Sequence, residues 1–481
     1  MILSYVSVLI LFISNIFIVF SSDASSLFTQ IHLALAGKDK ITGLANTMAV
    51  SWSTTNSTDK SVVKYGEKSG SLDLEMEGYE VIYYETAHHH VVLEASTLKP
   101  STKYYYKVGD GTLFSEEFYF TSPVATSDPN DQFSFAVFAD LGLHKGDDTQ
   151  NYLLKLRENK EIDLVWHGGD IGYADDSFTH LKCVFKFCYE ETYDSYMELT
   201  SKWASYMPYM VTPGNHEAEC HSPACLTSSE KREKLSNFTA YNNRFRMPGE
   251  ECNAHALNMH YSYNYKNVHF ISIDSETGYD DAPLGKRYVL PCGGFTDQLS
   301  WFEEDLIQAN KERHLRPWIF VIAHRPIYQG DGVTNNLQDA IEKLLKKYKV
   351  DIYFAGHVHS YERTFPVFHD RVPDKNEATA YDDPEDTTHL MLGGPGNDEM
   401  RGVFKSPERL EREALKEKYD VSPSKLYKDN DGTGPWTAFQ DTKNFGIGKV
   451  DILSKDELRF SYIRTGNGEV HDQIVLKRTH N

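Results

Sequence analysis

Apolar and polar positions along this chain fall into two textures. From about residue 28 to 122 they alternate in short runs. Met48-Ala49-Val50-Ser51-Trp52-Ser53 alternates as a half-buried strand does. Val62–Gly66 ends on a turn glycine, Val91–Glu94 is a third run, Leu98–Val108 turns into an aromatic strand, and Phe118–Thr121 closes the set. Short strands at roughly ten-residue spacing, with no helical period, predict a β-sandwich. Three adjacent His on one strand cannot share a face, so His88, His89 and His90 read as structural or exposed rather than as ligands.

The stretch 124–131 is rich in Ser, Pro, Asp and Asn and reads as a linker. Beyond it, strands alternate with helices. The strands are Phe133–Phe138, Ile162–Trp166, Tyr209–Val211, Val268–Ile273, Trp318–Ile322 and Asp351–Phe354. The helices are Thr149–Lys160, Phe187–Tyr206, Asp297–Ala309 and Asn336–Tyr348. This order predicts a layered α/β domain. Strands return at Gly446–Ile452, Leu458–Arg464 and Gln473–Lys477. Between them, 370–445 is charged and loop-like, with a polar helix around Pro407–Lys418 to which no role is assigned.

Composition narrows the function. Of 481 residues, Lys and Arg number 49 against 70 Asp and Glu, a formal charge of −21. Such a field disfavours nucleic acid and anionic membranes as partners. Met1–Phe20 has no charged side chain, and small residues follow at Ser21, Ser22 and Ala24. Residues 1–22 therefore read as a secretory signal, with an uncleaved anchor as the alternative. No other stretch is long and apolar enough to span a bilayer, so no membrane association is expected of the mature form. Behind a signal, the six cysteines read as disulfides. Of the fifteen pairings that six cysteines permit, the favoured set is Cys183–Cys188, Cys220–Cys225 and Cys252–Cys292. Sequons at Asn56 and Asn237 fit a glycosylated protein that is secreted, extracellular or lysosomal/vacuolar.

Five short segments each follow a predicted strand. They are Asp140-Leu141-Gly142, Gly169-Asp170-Ile171-Gly172-Tyr173, Gly214-Asn215-His216-Glu217, Ala323-His324-Arg325-Pro326 and Gly356-His357-Val358-His359. Loops beyond the carboxyl ends of strands are where α/β sheets bind ligands, so all five are expected to converge on one edge. Carboxylate, phenolate, amide and imidazole donors suit Fe, Zn or Mn. Flanking glycines let the backbone approach an ion closely. Seven such donors suffice for two metals with an Asp between them.

This order of motifs resembles the calcineurin-like metallophosphoesterases, and the Tyr in Gly169-Asp170-Ile171-Gly172-Tyr173 narrows the resemblance to the purple acid phosphatases. Gly356-His357-Val358-His359-Ser360-Tyr361-Glu362-Arg363 is especially similar to that family. The Leu98-Lys99-Pro100…Tyr104 segment and Trp52 resemble fibronectin type III domains. The implied architecture is a fibronectin III-like β-sandwich over 23–125, then a layered αββα metallophosphoesterase domain over 130–481.

The resemblance further implies that Asp140, Tyr173 and His359 hold Fe(III), that Asn215, His324 and His357 hold a divalent Fe, Zn or Mn, and that Asp170 bridges them. A hydroxide held by the metals would attack the phosphorus of small phosphorylated substrates, chiefly monoesters. His216 is the candidate proton donor to the leaving alkoxide, or else orients ligands without donating. Glu217 is expected to support ligands rather than react. Plant members carry further His just after the Ala323-His324 position, whereas here Arg325-Pro326-Ile327-Tyr328 follows, so Arg325 or Tyr328 is the expected substitute. A phosphodiesterase or nucleotide pyrophosphatase would use the same metal core. A non-catalytic adhesion protein with a vestigial site is the alternative of another class. A homodimer is compatible with the sequence.

Overall fold

The computed structural model describes residues 27–37, 47–124, 127–180, 183, 186–218, 220, 222–248, 258–276, 295–330, 332–372, 379–400 and 433–479. The apolar segment 1–20, the polar helix expected near 407–418 and the pair Cys252–Cys292 lie outside the described residues.

Two four-stranded sheets form the sandwich. One runs in the order Thr29–Leu35, Met48–Thr54, Ala87–Leu93, Tyr79–Ile82, and the other Leu74–Glu77, Val62–Gly66, Lys103–Gly109, Phe118–Thr121. All pairings between these strands are antiparallel. Trp52 is buried between the layers and stacks on His89 at 5.1 Å. The Lys99 backbone N–H donates to Tyr104 Oη at 2.9 Å, which pins the corner ahead of the aromatic strand.

The three adjacent histidines are structural and none is exposed. His89 lies between Thr54 Oγ1 and Ser61 Oγ, 2.8 and 2.9 Å away. His90 joins Ser51 Oγ at 2.8 Å and donates to the Asn243 carbonyl at 3.0 Å. Neighbours on one strand thus face opposite sides, one toward Trp52 and one toward the second domain.

That second domain holds two seven-stranded sheets. The first has the order Tyr209–Val211, Leu164–His167, Phe133–Phe138, Gly446–Ile452, Glu457–Arg464, Val470–Lys477, Ala380–Asp382. The second has the order Tyr261–Tyr265, Val268–Ser272, Trp318–Ile322, Ile352–Ala355, Thr388–Leu392, Tyr361–Thr364, Thr437–Asp441. Alternation along each strand of the second sheet explains the layering. Phe270, Phe320 and Phe354 face the first sheet, where Phe270 and Phe320 meet Phe135 at 5.2 and 5.9 Å. Ile271, Val321 and Tyr353 point the other way and pack with Phe302, Leu306, Ile341 and Leu345 of the helices.

Helix Tyr189–Ala204 buries Tyr189, Tyr193, Tyr196, Met197, Thr200, Trp203 and Ala204, an i, i+4, i+7 stripe. It packs against the sandwich strand Thr29–Leu35. Here Arg244 is buried and donates to Gln30 Oε1 at 2.9 Å, Tyr83 Oη at 2.8 Å and Glu190 Oε2 at 2.7 Å. Disulfides join Cys183–Cys188 and Cys220–Cys225, the two local pairs favoured from spacing.

Candidate metal centre

Parallel strands deliver the five segments to one place. Phe133–Phe138, Leu164–His167 and Tyr209–Val211 run side by side in the first sheet and end just before Asp140, Asp170 and Asn215. Trp318–Ile322 and Ile352–Ala355 are parallel in the second and end before His324 and His357. The seven expected residues meet where the carboxyl ends of both sheets come together.

Their donor atoms form two groups. In one, Tyr173 Oη lies 3.2 Å from Asp140 Oδ1 and 2.9 Å from His359 Nε2, with His359 Nε2 3.3 Å from Asp140 Oδ1. In the other, Asn215 Oδ1 lies 3.0 Å from both His324 Nε2 and His357 Nδ1, and His324 Nε2 lies 3.1 Å from Asp170 Oδ2. Asp170 belongs to both groups, beside Asp140 and His359 and beside His324 and His357. Bonds of about 2.1 Å to one ion place neighbouring donors about 3.0–3.4 Å apart. The spacings therefore suit two ions.

Backbone conformation agrees. Asp140, Asp170, Tyr173 and His357 adopt φ of 64°, 56°, 54° and 68°, the left-handed region that costs a side-chain-bearing residue about 1–3 kcal/mol. Four strained residues at one spot, all with ligating side chains, mark a built site. Close approach is made by glycine. A Cβ on Gly214 would fall 2.3 Å from Asp170 Oδ1, and one on Gly356 2.3 Å from Asp140 Oδ2.

Backbone donors hold the carboxylates. The His357 N–H donates to Asp140 Oδ2 at 2.8 Å and the His216 N–H to Asp170 Oδ1 at 2.9 Å. Burial alone would raise the Asp170 carboxyl, but His324 and His216 outweigh it and hold it well below the usual range. Burial, reinforced by Asp140 and Asp170, pushes the Tyr173 phenol well up. An ionised phenolate there calls for a cation beside it. Glu217 accepts the N–H groups of Asp170, Ile171 and Gly214, each at 2.8 Å, and so ties two ligand loops together.

His216 is buried with its Nδ1 2.9 Å from both oxygens of Asp175. Its Nε2 faces the centre, 3.9 Å from Asp170 Oδ2. Burial lowers its affinity for a proton, but Asp175 and Asp170 together raise it well above the ordinary imidazole value. Asp175 has no signal in the sequence beyond its acidity. Asn397 ends the Gly393-Gly394-Pro395-Gly396-Asn397 loop, which resembles a turn of the family but to which the sequence assigns no role; its Nδ2 donates to the Asp140 carbonyl at 2.9 Å and to Tyr173 Oη at 3.1 Å.

Arg325 does reach the centre. Its Nε donates to Glu276 at 2.9 Å and its Nη1 lies 2.9 Å from His357 Nε2. Tyr328, the other expected substitute, does not. Its hydroxyl donates to Glu342 and it packs on Trp436, because its strand turns the ring into the helix-side core.

Comparison with known proteins agrees with this geometry. The profile described as purple acid phosphatase, N-terminal domain, matches residues 28–122. That of calcineurin-like phosphoesterases matches 133–361, and that of iron/zinc purple acid phosphatase-like protein C matches 387–473. Purple acid phosphatase 21 of Arabidopsis thaliana is 31% identical over 79% of this chain and 74% of its own length. Acid phosphatase A of Cryphonectria parasitica is 31% identical over 95% of this chain and 93% of its own. A purple acid phosphatase isolated from yellow lupin seeds shares the fold, with a TM-score of 0.69 at 20% identity over 94% of this chain and 75% of that one.

Proposed function

This chain belongs to the purple acid phosphatase family and is a phosphatase with a dinuclear metal centre, and on that premise we propose that it is a secreted enzyme hydrolysing phosphate monoesters at an Fe(III)–M(II) pair, M being Fe, Zn or Mn. The observation that carries the reading is the pair of donor groups sharing Asp170, built on residues held in left-handed backbone. Asp140, Tyr173 and His359 would hold the ferric ion and Asn215, His324 and His357 the divalent one, with Asp170 within reach of both. Bound there, such a pair would supply Lewis acidity, making water more acidic and offsetting negative charge on a phosphate.

The chain's own groups do the rest. Asn397 donates to Tyr173 Oη and so favours the oxygen as an acceptor. Glu217 keeps the loops of Asp170 and Asn215 in register through its three backbone bonds. Asp175 accepts from His216 Nδ1–H, which leaves Nε2–H to face the substrate. His216 is thereby placed to hand its proton to the departing alkoxide. Arg325, fixed by Glu276, stands where a phosphate oxygen would meet a cation. Secretion is supported by the apolar first twenty residues, the two disulfides and the exposure of both sequon residues, Asn56 and Asn237.

The test is hydrolysis of p-nitrophenyl phosphate and an alkyl phosphate by the iron- and zinc-loaded protein. Both should turn over, and chelation should abolish the activity; absence of turnover with two metals bound would overturn the reading. His216→Asn should lose roughly 10²-fold or more in kcat/KM on the alkyl ester, whose leaving group needs a proton, and far less on p-nitrophenyl phosphate. Equal losses on both would remove the proton-donor role.

A further inference from the structure

We propose that His144, His180 and Asp398 form a third divalent-metal site, at the rim of the dinuclear centre and distinct from its seven ligands. The three come from separate segments. His144 lies in the loop that follows Asp140, His180 closes the 3₁₀ turn Asp175–Thr179, and Asp398 lies just beyond Asn397. One ligand atom from each lies within 4.8 Å of the others. The two imidazole rings sit 3.8 Å apart, centre to centre, and His180 Nε2 is 2.6 Å from Asp398 Oδ2. His144 makes no hydrogen bond to a side chain or backbone group among the described residues.

Donor chemistry selects the ion. Two imidazoles and one carboxylate, all half-buried, form a set that Zn²⁺ takes. Calcium and magnesium prefer all-oxygen cages. A neutral imidazole is the form that binds metal. Burial, aided by His180 and against the pull of Asp398, holds His144 below the ordinary imidazole value and so favours that form.

The surrounding frame is already in place. Lys145 Nζ donates to the carbonyls of Asp398 and Met400, at 3.2 and 2.6 Å, and the Gly142 N–H to that of Gly396 at 2.9 Å. An ion on Asp398 would add a side-chain clamp to this backbone lacing. The clamped loop also carries Asn397, and it carries Glu399, whose carboxylate lies 3.7 Å from His359 Nε2 and 3.9 Å from His216 Nε2. Its effect on catalysis rests on the phosphatase reading, but the site itself does not.

The experiment uses the full chain with its two core metals loaded and counted, titrated with ZnCl₂ alone. Wild type should bind one further equivalent. His144→Ala and Asp398→Asn should each weaken that step at least tenfold, and His144→Ala/His180→Ala should abolish it, with both core metals, the visible absorption and the circular dichroism retained. His144→Gln serves in place of an alanine variant that does not fold. No third equivalent in wild type, or an undiminished one in the double variant, overturns the proposal. A third equivalent that binds while the core fails to load leaves this site standing and defeats the dinuclear assignment instead.

Discussion

A phenolate oxygen bound to ferric iron absorbs visible light by charge transfer, and among the seven proposed ligands Tyr173 alone supplies one. Tyr173→Phe keeps the ring that packs 4.4 Å from that of His216 and removes the oxygen shared with Asp140, His359 and Asn397. The variant should fold, lose its colour on iron loading and bind iron more weakly, with stability changed by about 1 kcal/mol. An absorption spectrum of the loaded variant that matches wild type would return Tyr173 to a packing role. The seven donors were legible because each sits in a short local pattern just past a strand end, with glycine in four of the five segments. The roles of Asp175 and Asn397 were not. Asp175 acts on a histidine 41 positions away, and Asn397 on a carbonyl 257 positions away. No local spacing carries such a relation. Tyr328 failed for a related reason, since its neighbour Arg325 turns toward the centre while Tyr328 turns into the core.

At the scale of elements, the strand-end turns decide how far the carboxylates can advance. Gly356→Ala would drive a methyl to within 2.3 Å of Asp140 Oδ2 and 2.2 Å of Ala139 Cβ, so either the turn or the ligand must shift. A displacement of about 1 Å at a reacting centre costs about 10²-fold. Activity should fall by that order, with weaker iron binding and native circular dichroism. Gly466→Ala is the control, because only Asp148 Oδ2 lies near its added methyl, at 3.4 Å, and activity should hold. Comparable activity in the two variants would show that the Gly356 turn has slack. Strands with central burial were readable from the chain, and Tyr209–Val211 and Trp318–Ile322 match their expected spans. Tyr79–Ile82 was not readable, since an edge strand with Tyr79 and Ile82 exposed carries no buried face. Thr29–Leu35 was missed because its burial comes from a helix 160 positions later in the chain, a contact that leaves no alternation to read.

For the whole molecule, buried histidines, several of them at the seam between sandwich and catalytic domain, contribute to acid stability. Burial pulls His32 down to about 4 and His90 down to about 3, and both lie beside the buried Arg244 segment. Within the sandwich, burial likewise brings His89 to about 4. The folded protein thus keeps these rings neutral where an unfolded chain, with imidazoles near 6.5, takes up protons. The contribution of these rings is fully present above pH 6.5 and falls as the pH drops from 6.5 toward 4, each ring by up to about 1.4 kcal/mol per unit. Urea unfolding across that range should show the decline. His90→Gln should make it shallower by one proton's worth, and an unchanged slope would remove His90 from the account.

The first catalytic sheet has one further consequence, for synthesis. Phe133–Phe138, the strand that ends at Asp140, is flanked on one side by Gly446–Ile452. Ser134 and Asp451, joined side chain to side chain at 2.6 Å, are 317 positions apart. A ribosome delivers the sandwich and most of the ligands long before it delivers that neighbour. Until then the strand carrying the first ligand presents an unpaired edge, the kind of surface on which nascent chains associate with one another. Chains cut short before Gly446 would keep all seven donors in their sequence and still lack the strand that holds the first of them in place.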